Sequence, residues 1–234
     1  MSTVALLLCA GRGERLGAEV GKALVPLASR PLFTWSLEAL EHCRAIDAIV
    51  VVGPVSPLQH ALAATGLAIR KVVAWTEGGR ERQHSVARGL HVMPEDAEIV
   101  AVHDSARALV TSELIERVIE DARIHGGAIA ALPMSDTVKR VGDSVILETL
   151  AREALWRAQT PQAFRRAWLV EAHAKSACAT AVATDDAALV EALGHPVHVT
   201  PGDAHNLKIT TPDDLALAEV WLARRGIGVT ETRG

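Results

Sequence analysis

The chain has 234 residues, of which 49% are hydrophobic and 22% charged, and its formal charge is −4 at pH 7. That balance excludes a disordered or collagen-like chain, and an acidic total with no lysine- or arginine-rich tract argues against a nucleic-acid binder. Cys9, Cys43 and Cys178 are widely spaced, as reduced thiols are, and the N-terminal apolar run is too short to span a membrane, so a cytoplasmic protein is expected.

The first apolar run, residues 4–9, opens into Ala10-Gly11-Arg12-Gly13-Glu14-Arg15-Leu16-Gly17, with Lys22 beyond. A buried strand that breaks into such a turn suits phosphate. Glycines let the backbone bend and bring bare N–H groups to an anion, while Arg15 and Lys22 add mobile full charges. A dinucleotide fingerprint needs a third glycine where Leu16 stands and an acid at the end of the second strand, which instead closes on Val52-Gly53-Pro54. A P-loop needs four residues between its glycines and a hydroxyl after the lysine; Gly17 and Gly21 enclose three, and Ala23 follows Lys22. The segment therefore reads as a triphosphate loop of another kind, or else as a plain glycine-rich turn.

Further β-branched runs at residues 46–52, 69–75, 99–103 and 128–133 alternate with stretches of helical period. Helices are expected over 56–65, 81–92, 111–125, 165–176, 185–193 and 212–224, and after Pro31, where Phe33, Leu37 and Leu40 share a face. This alternation predicts an α/β fold, a mostly parallel sheet with helices on both faces. Residues 137–141 and 144–148, around Gly142-Asp143, break the rhythm as a β-hairpin. A two-stranded ribbon is barely stable alone, so an arm over 136–150 that packs on something else, such as a second subunit, is expected. No linker or repeat divides the chain, and residues 1–234 read as one domain.

Several clusters carry chemistry. Gly78-Gly79-Arg80-Glu81-Arg82-Gln83-His84-Ser85-Val86 follows a strand and enters a helix; its free N–H groups and the Ser85 hydroxyl suit a base edge, and the plainer alternative is a helix cap with a solvated face. His103-Asp104-Ser105-Ala106-Arg107 ends a strand, where α/β sheets bind ligands. Asp104 can face a ribose, metal or hydroxyl there, or simply serve the turn, and His103 reads as a core or supporting residue. Thr184-Asp185-Asp186 can bind metal but reads first as a helix start with Thr184 as cap. The ten histidines show no zinc spacing, and no nucleophile motif surrounds a serine or thiol.

In order, these segments resemble the 2-C-methyl-D-erythritol 4-phosphate cytidylyltransferase family, whose signatures are Pro-Ala-Ala-Gly-x-Gly-x-Arg with a following lysine, Gly-Gly-x-x-Arg-x-x-Ser-Val, His-Asp-x-Ala-Arg-Pro, Asp-Thr-x-Lys, Thr-Pro-Gln-x-Phe, Thr-Asp-Asp/Glu and Asn-x-Lys-x-Thr. The chain matches with the segments above and with Asp136-Thr137-Val138-Lys139, Thr160-Pro161-Gln162-Ala163-Phe164 and Asn206-Leu207-Lys208-Ile209-Thr210. The resemblance implies a Rossmann-like, glycosyltransferase-A-like nucleotidyltransferase that joins CTP to a polyol phosphate, with Mg²⁺ held mainly by the CTP phosphates. It implies Arg15 and Lys22 as transition-state stabilisers and Arg152 and Lys208 as holders of the substrate phosphate. Cys9, Ala10, Gly11, Gly13, Gly79, Arg80, Ser85, Asp104 and Ser105 match nucleotide-binding positions, and Arg107, Thr137 and Thr160 match substrate-binding ones. Arg107 and Thr137 are expected from the neighbouring subunit of a homodimer joined through the 136–150 arm. Departures are Leu8 and Cys9 for Pro-Ala, Gly21 and Ala23 for proline and glutamine beside the lysine, Ala108 for proline and His205 for an acid. Alternatives are a ribitol-5-phosphate cytidylyltransferase and a non-catalytic nucleotide-binding protein; Ala106 before Arg107 leans towards the erythritol enzyme.

Overall fold

A computed structural model describes residues 2–16, 21–176 and 183–226. In chain order its elements are β1 (Thr3–Leu8), β2 (Pro26–Leu27), β3 (Arg30–Pro31), α1 (Leu32–His42), β4 (Ala48–Val52), α2 (Val55–Ala63), β5 (Val72–Thr76), α3 (Arg82–Val92), β6 (Ile99–Asp104) and α4 (Ser112–His125). There follow β7 (Gly127–Pro133), β8 (Val138–Gly142), β9 (Val145–Leu150), β10 (Trp156–Arg165), α5 (Arg166–Ser176), α6 (Asp186–Glu191), β11 (His198–Pro201) and α7 (Pro212–Arg224). Gly17 and Cys178 lie outside the described residues.

Seven strands form one sheet in the order β11-β7-β10-β6-β1-β4-β5. All neighbours are parallel except β10, which runs against both β6 and β7. Strands β1, β4 and β6 are buried on both faces, which is why they read as unbroken apolar runs. Side chains alternate across the pleat. Ala5, Leu7, Ile49 and Val51 meet Phe33, Leu37, Leu40, Leu58 and Val118 on one face, and Val4, Leu6, Val50 and Val100 meet Val86, Phe164, Leu169 and Val190 on the other. A third cluster closes one end of the sheet. There Ala218 and Leu222 of α7 pack on Leu27, Leu32, Trp35, Leu109 and Ile209.

The expected core strands and helices are present, with ends moved by one to three residues. Four strands lie where no run was expected, the two-residue β2 and β3 and the longer β10 and β11. Strand β10 has an exposed N-terminal end and polar Gln159, Thr160 and Gln162 in its middle, so burial comes from pairing and not from a hydrophobic run. The hairpin turns one residue later than the sequence suggested. Asp143 and Ser144 take φ of 48° and 64°, the two left-handed residues that a tight hairpin turn requires. Helix α6 is capped by Asp185, whose Oδ1 accepts from the Ala188 N–H at 3.0 Å, and not by Thr184.

Candidate active site

A cleft of about 560 Å³ opens at the carboxyl ends of β1 and β6. Its wall is formed by Leu8, Ala10, Gly11, Arg12 and Lys22 from the first loop, Gly79 to Arg82 and Ser85 around the start of α3, Asp104 to Ala106 after β6, and Lys208. The first loop is folded back on itself. The Lys22 N–H donates to the Gly11 carbonyl at 2.9 Å, and the Leu16 N–H donates to Gly13, whose φ is +78°. A Cβ on Gly13 would lie 3.2 Å from the Lys22 backbone, so the glycine allows both the turn and the approach that brings Lys22 to the cleft.

The second wall is equally tight. A Cβ on Gly78 would stand 2.2 Å from the Ala10 Cβ, so the strand-to-helix turn can lie against the first loop only as glycine. Ser85 Oγ accepts from the Gly79 N–H at 3.0 Å and donates to the Glu81 carbonyl at 3.3 Å. The hydroxyl thus holds the turn, and the groups left to meet a ligand on this wall are chiefly backbone.

The charges of the cleft are concentrated around Asp104. Its Oδ1 accepts from Arg82 Nε at 3.1 Å and its Oδ2 from Lys208 Nζ at 2.7 Å. Burial alone would raise its pKa, but Arg82 and Lys208 outweigh that and hold it well below the usual carboxylate range. Lys208 arrives because the Ile209 N–H donates to the Ala106 carbonyl at 2.8 Å, while Thr210 is tied by its hydroxyl to Asp214 in the capping box of α7. Lys22 is pushed the other way. Burial, then the positive charges of Lys208 and Arg15, lower its pKa to about 8, with Asp104 and Asp214 opposing.

Of the residues singled out in the sequence, Ala10, Gly11, Lys22, Gly79, Arg80, Ser85, Asp104, Ser105 and Lys208 line this cleft. Arg15 is exposed beside it, near enough for its charge to act on Lys22. Cys9 is not part of the wall; its side chain is buried in the core, and burial pushes its thiol up to about 12, so it stays protonated and inert. Thr160 acts from behind, its Oγ1 accepting from the Asp104 N–H at 3.0 Å and lying 3.1 Å from His103 Nδ1. Burial lowers the His103 pKa to about 4, so this histidine is a neutral strut. Arg107 is committed within its own chain, donating to the carbonyls of Asn206 at 2.7 Å and Ala158 at 3.2 Å. Thr137 and Arg152 stand exposed at the root of the arm, Arg152 donating to the Ser135 carbonyl. Asp185 caps α6, and Asp186, in the first turn of that helix, is buried against Arg82 and His173. The residue that sequence reasoning passed over is Arg82, quoted within a motif but given no task. Its signal was position, in the first turn of a helix that follows a glycine pair.

Among the described residues no group of three or more His, Cys, Asp or Glu side chains is placed to hold a metal. Of the two carboxylates in the cleft wall, Asp104 already spends both oxygens on cations. This donor set fits a cation carried by phosphate oxygens, not a cage built by protein side chains.

A cleft at the carboxyl ends of parallel strands, walled by glycine turns and bordered by lysine and arginine, defines a nucleotide-binding α/β protein. Comparison with known proteins narrows the class: the chain belongs to the 2-C-methyl-D-erythritol 4-phosphate cytidylyltransferase (IspD) family, whose model it matches over residues 3–224. It is 46% identical over 223 residues to the family protein of Synechococcus sp. (strain WH7803), covering 94% of this chain and 99% of that one. It is 41% identical over 228 residues to that of Geobacillus thermodenitrificans (strain NG80-2), covering 96% and 99%. The crystal structure of the Thermus thermophilus cytidylyltransferase superposes with a TM-score of 0.76 at 36% identity, covering 96% of this chain and all of that one. The 4-diphosphocytidyl-2C-methyl-D-erythritol synthase of Anaerococcus prevotii does so at 0.84 and 26% identity, covering 95% and 99%.

Proposed function

We propose that the chain transfers a cytidylyl group from CTP to 2-C-methyl-D-erythritol 4-phosphate, releasing pyrophosphate and forming 4-diphosphocytidyl-2-C-methyl-D-erythritol for isoprenoid synthesis. Family membership over nearly the whole chain supports the reaction. The observation that carries the reading at the level of the site is Lys22 held at the mouth of a cleft whose opposite wall presents Lys208 and Asp104.

The substrate's own phosphate oxygen attacks the α-phosphorus, so no protein nucleophile is required. Two polyanions must be brought together, and the protein's work is charge and aim. Lys22 and Arg15 meet the negative charge that grows on the α-phosphate and leaving group. The backbone around Ala10 and Gly11 receives the triphosphate, and the Gly79 and Arg80 turn with Ser85 faces the cytosine. Lys208 turns from Asp104 to the substrate phosphate, freeing that carboxylate for the ribose. Mg²⁺ bound to the triphosphate supplies further positive charge.

Arg107 and Thr137 are the residues expected to reach a substrate phosphate from a second copy, and the exposed arm supports that reading. Val141, Val145, Ile146 and Leu147 are 54 to 64% exposed on it, an apolar surface that a homodimer of this one-domain chain would cover. Among the described residues no helix is long and apolar enough to cross a membrane. The test is pyrophosphate release with CTP against ATP, GTP and UTP in the presence of methylerythritol phosphate and Mg²⁺. Turnover with CTP foremost is expected; no release with any nucleotide, or equal release with ribitol 5-phosphate, overturns the assignment.

A further inference from the structure

Behind the cleft lies a chain of charges of which the reaction above uses only Asp104. Arg82, in the first turn of α3, is gripped at two nitrogens: Nε donates to Asp104 Oδ1 at 3.1 Å, and Nη1 donates to Asp186 Oδ2 at 2.7 Å. Asp186 is fully buried, and its other oxygen accepts from His173 Nε2 at 2.9 Å, itself almost wholly buried on α5. The Asp186 N–H donates to Gln162 Oε1 at 3.1 Å, which ties the backbone at the start of α6 to β10. Arg82 Nη2 is buried without a partner among the described residues, so the two carboxylates alone set the direction of the guanidinium.

We propose that His173 and Asp186 are positioning residues for the nucleotide: from a buried place outside the cleft wall they aim the Arg82 guanidinium, and through it the Asp104 carboxylate, into the cleft. Burial opposes the charge on Arg82, yet Asp186 and Asp104 raise its pKa above the ordinary value, so it is a permanent cation. A buried charge triad of this kind adds little net stability, because apolar side chains of equal volume fill a core as well; what it supplies is direction. The count of charges shows how it works. Arg82 and Lys208 face Asp104 and Asp186, two against two. With the Asp186 charge removed, Arg82 and Lys208 compete for Asp104 alone, and the carboxylate is drawn from its place. A histidine donor on the far side keeps Asp186 itself from turning.

The inference rests on the cytidylyl-transfer reading, and its test has a binding arm that does not need turnover. Asp186→Asn, His173→Leu, His173→Gln, Arg82→Met and the Asp186→Asn/Arg82→Met double variant are compared with the parent, CTP affinity being measured by calorimetry and KM for each substrate by pyrophosphate release. Asp186→Asn and His173→Leu are expected to weaken CTP binding and raise its KM by at least about fivefold, with the KM for methylerythritol phosphate moving less than about twofold. His173→Gln, whose amide nitrogen restores a donor, recovers most of the loss. In the Arg82→Met background Asp186→Asn adds nothing, since both act through one side chain. Unchanged CTP affinity in folded Asp186→Asn and His173→Leu, an equal rise in both KM values, or multiplied effects in the double variant overturns the role. If Asp186→Asn does not fold, the Leu and Gln pair at residue 173 decides. A parent protein that binds CTP but releases no pyrophosphate overturns the reaction, while the calorimetric comparison still decides the positioning role.

Discussion

Lys22 should impose a descending limb on the pH profile of the free enzyme. Burial and the nearby Lys208 and Arg15 bring its pKa to about 8, from an ordinary 10.5. With that value about nine-tenths of the free enzyme carries the charge at pH 7 and about one-tenth at pH 9, so kcat/KM for CTP should fall about tenfold between those two values. Once the triphosphate is bound, its negative charge offsets the desolvation and the repulsion, the pKa rises, and kcat at saturation should stay level over the same interval. Replacing the side chain with Lys22→Ala should lower kcat by about 10²–10³, the usual cost of one preorganised donor, and should abolish the limb. Initial rates of pyrophosphate release at constant ionic strength measure both quantities. A parent profile that is flat between pH 7 and 9, or a limb that survives in Lys22→Ala, would refute the reasoning. Stability carries the opposite sign. Because the folded pKa lies below the unfolded one, the folded state is penalised while the lysine is charged and gains stability as pH rises from about 8 to 10.5. Lys22→Met should therefore melt no lower than the parent at neutral pH.

Arg15→Ala should also lower kcat by about 10² or more with an unchanged melting curve; near-normal turnover would remove its assigned role. Lys208→Ala should raise KM for methylerythritol phosphate more than for CTP, and equal rises would argue against that division of labour. Phe33→Ala, which empties a fully buried site under the sheet, should cost about 3–5 kcal/mol by denaturant titration. Thr211→Ala removes one half of the α7 capping box and should cost about 0.5–2 kcal/mol, a loss that shows as a lower unfolding midpoint with the slope unchanged. Ile146→Asp with Leu147→Asp should yield a monomer by sedimentation if the arm joins two copies; an unchanged assembly state would refute that contact.

What the sequence disclosed followed from how strongly each segment is constrained. Strands β1, β4 and β6 are apolar on both faces, and a run of Val, Ile and Leu announces that directly. Residues that approach other backbone, such as Gly13 and Gly78, were visible for the same reason, since no other side chain fits. Strand β10 was hidden because its polar middle is satisfied by partners far away in the chain: Asn206 donates to Gln159 and Thr160, and Gln162 reaches Asp185. Two of the departures from the family pattern have plain surroundings. Ala108 is buried in the third core cluster, and His205 is exposed, hydrogen-bonded to Asp203 and set edge-on to Trp221. Arg82 escaped notice because its meaning lies in pairs separated by 22 and 104 residues, which no local pattern carries.

The reversed direction of β10 has a geometric result for the hairpin. Since β7 runs with β6 and β10 against both, the chain leaves the sheet after Pro133 and re-enters at Trp156 on the same rim where β6 ends in Asp104. The ribbon of β8 and β9 is thus rooted on the same side of the molecule as the cleft, like a bracket bolted beside a keyhole. A body seated on the bracket would therefore stand next to the rim that carries Asp104, with no helical layer between.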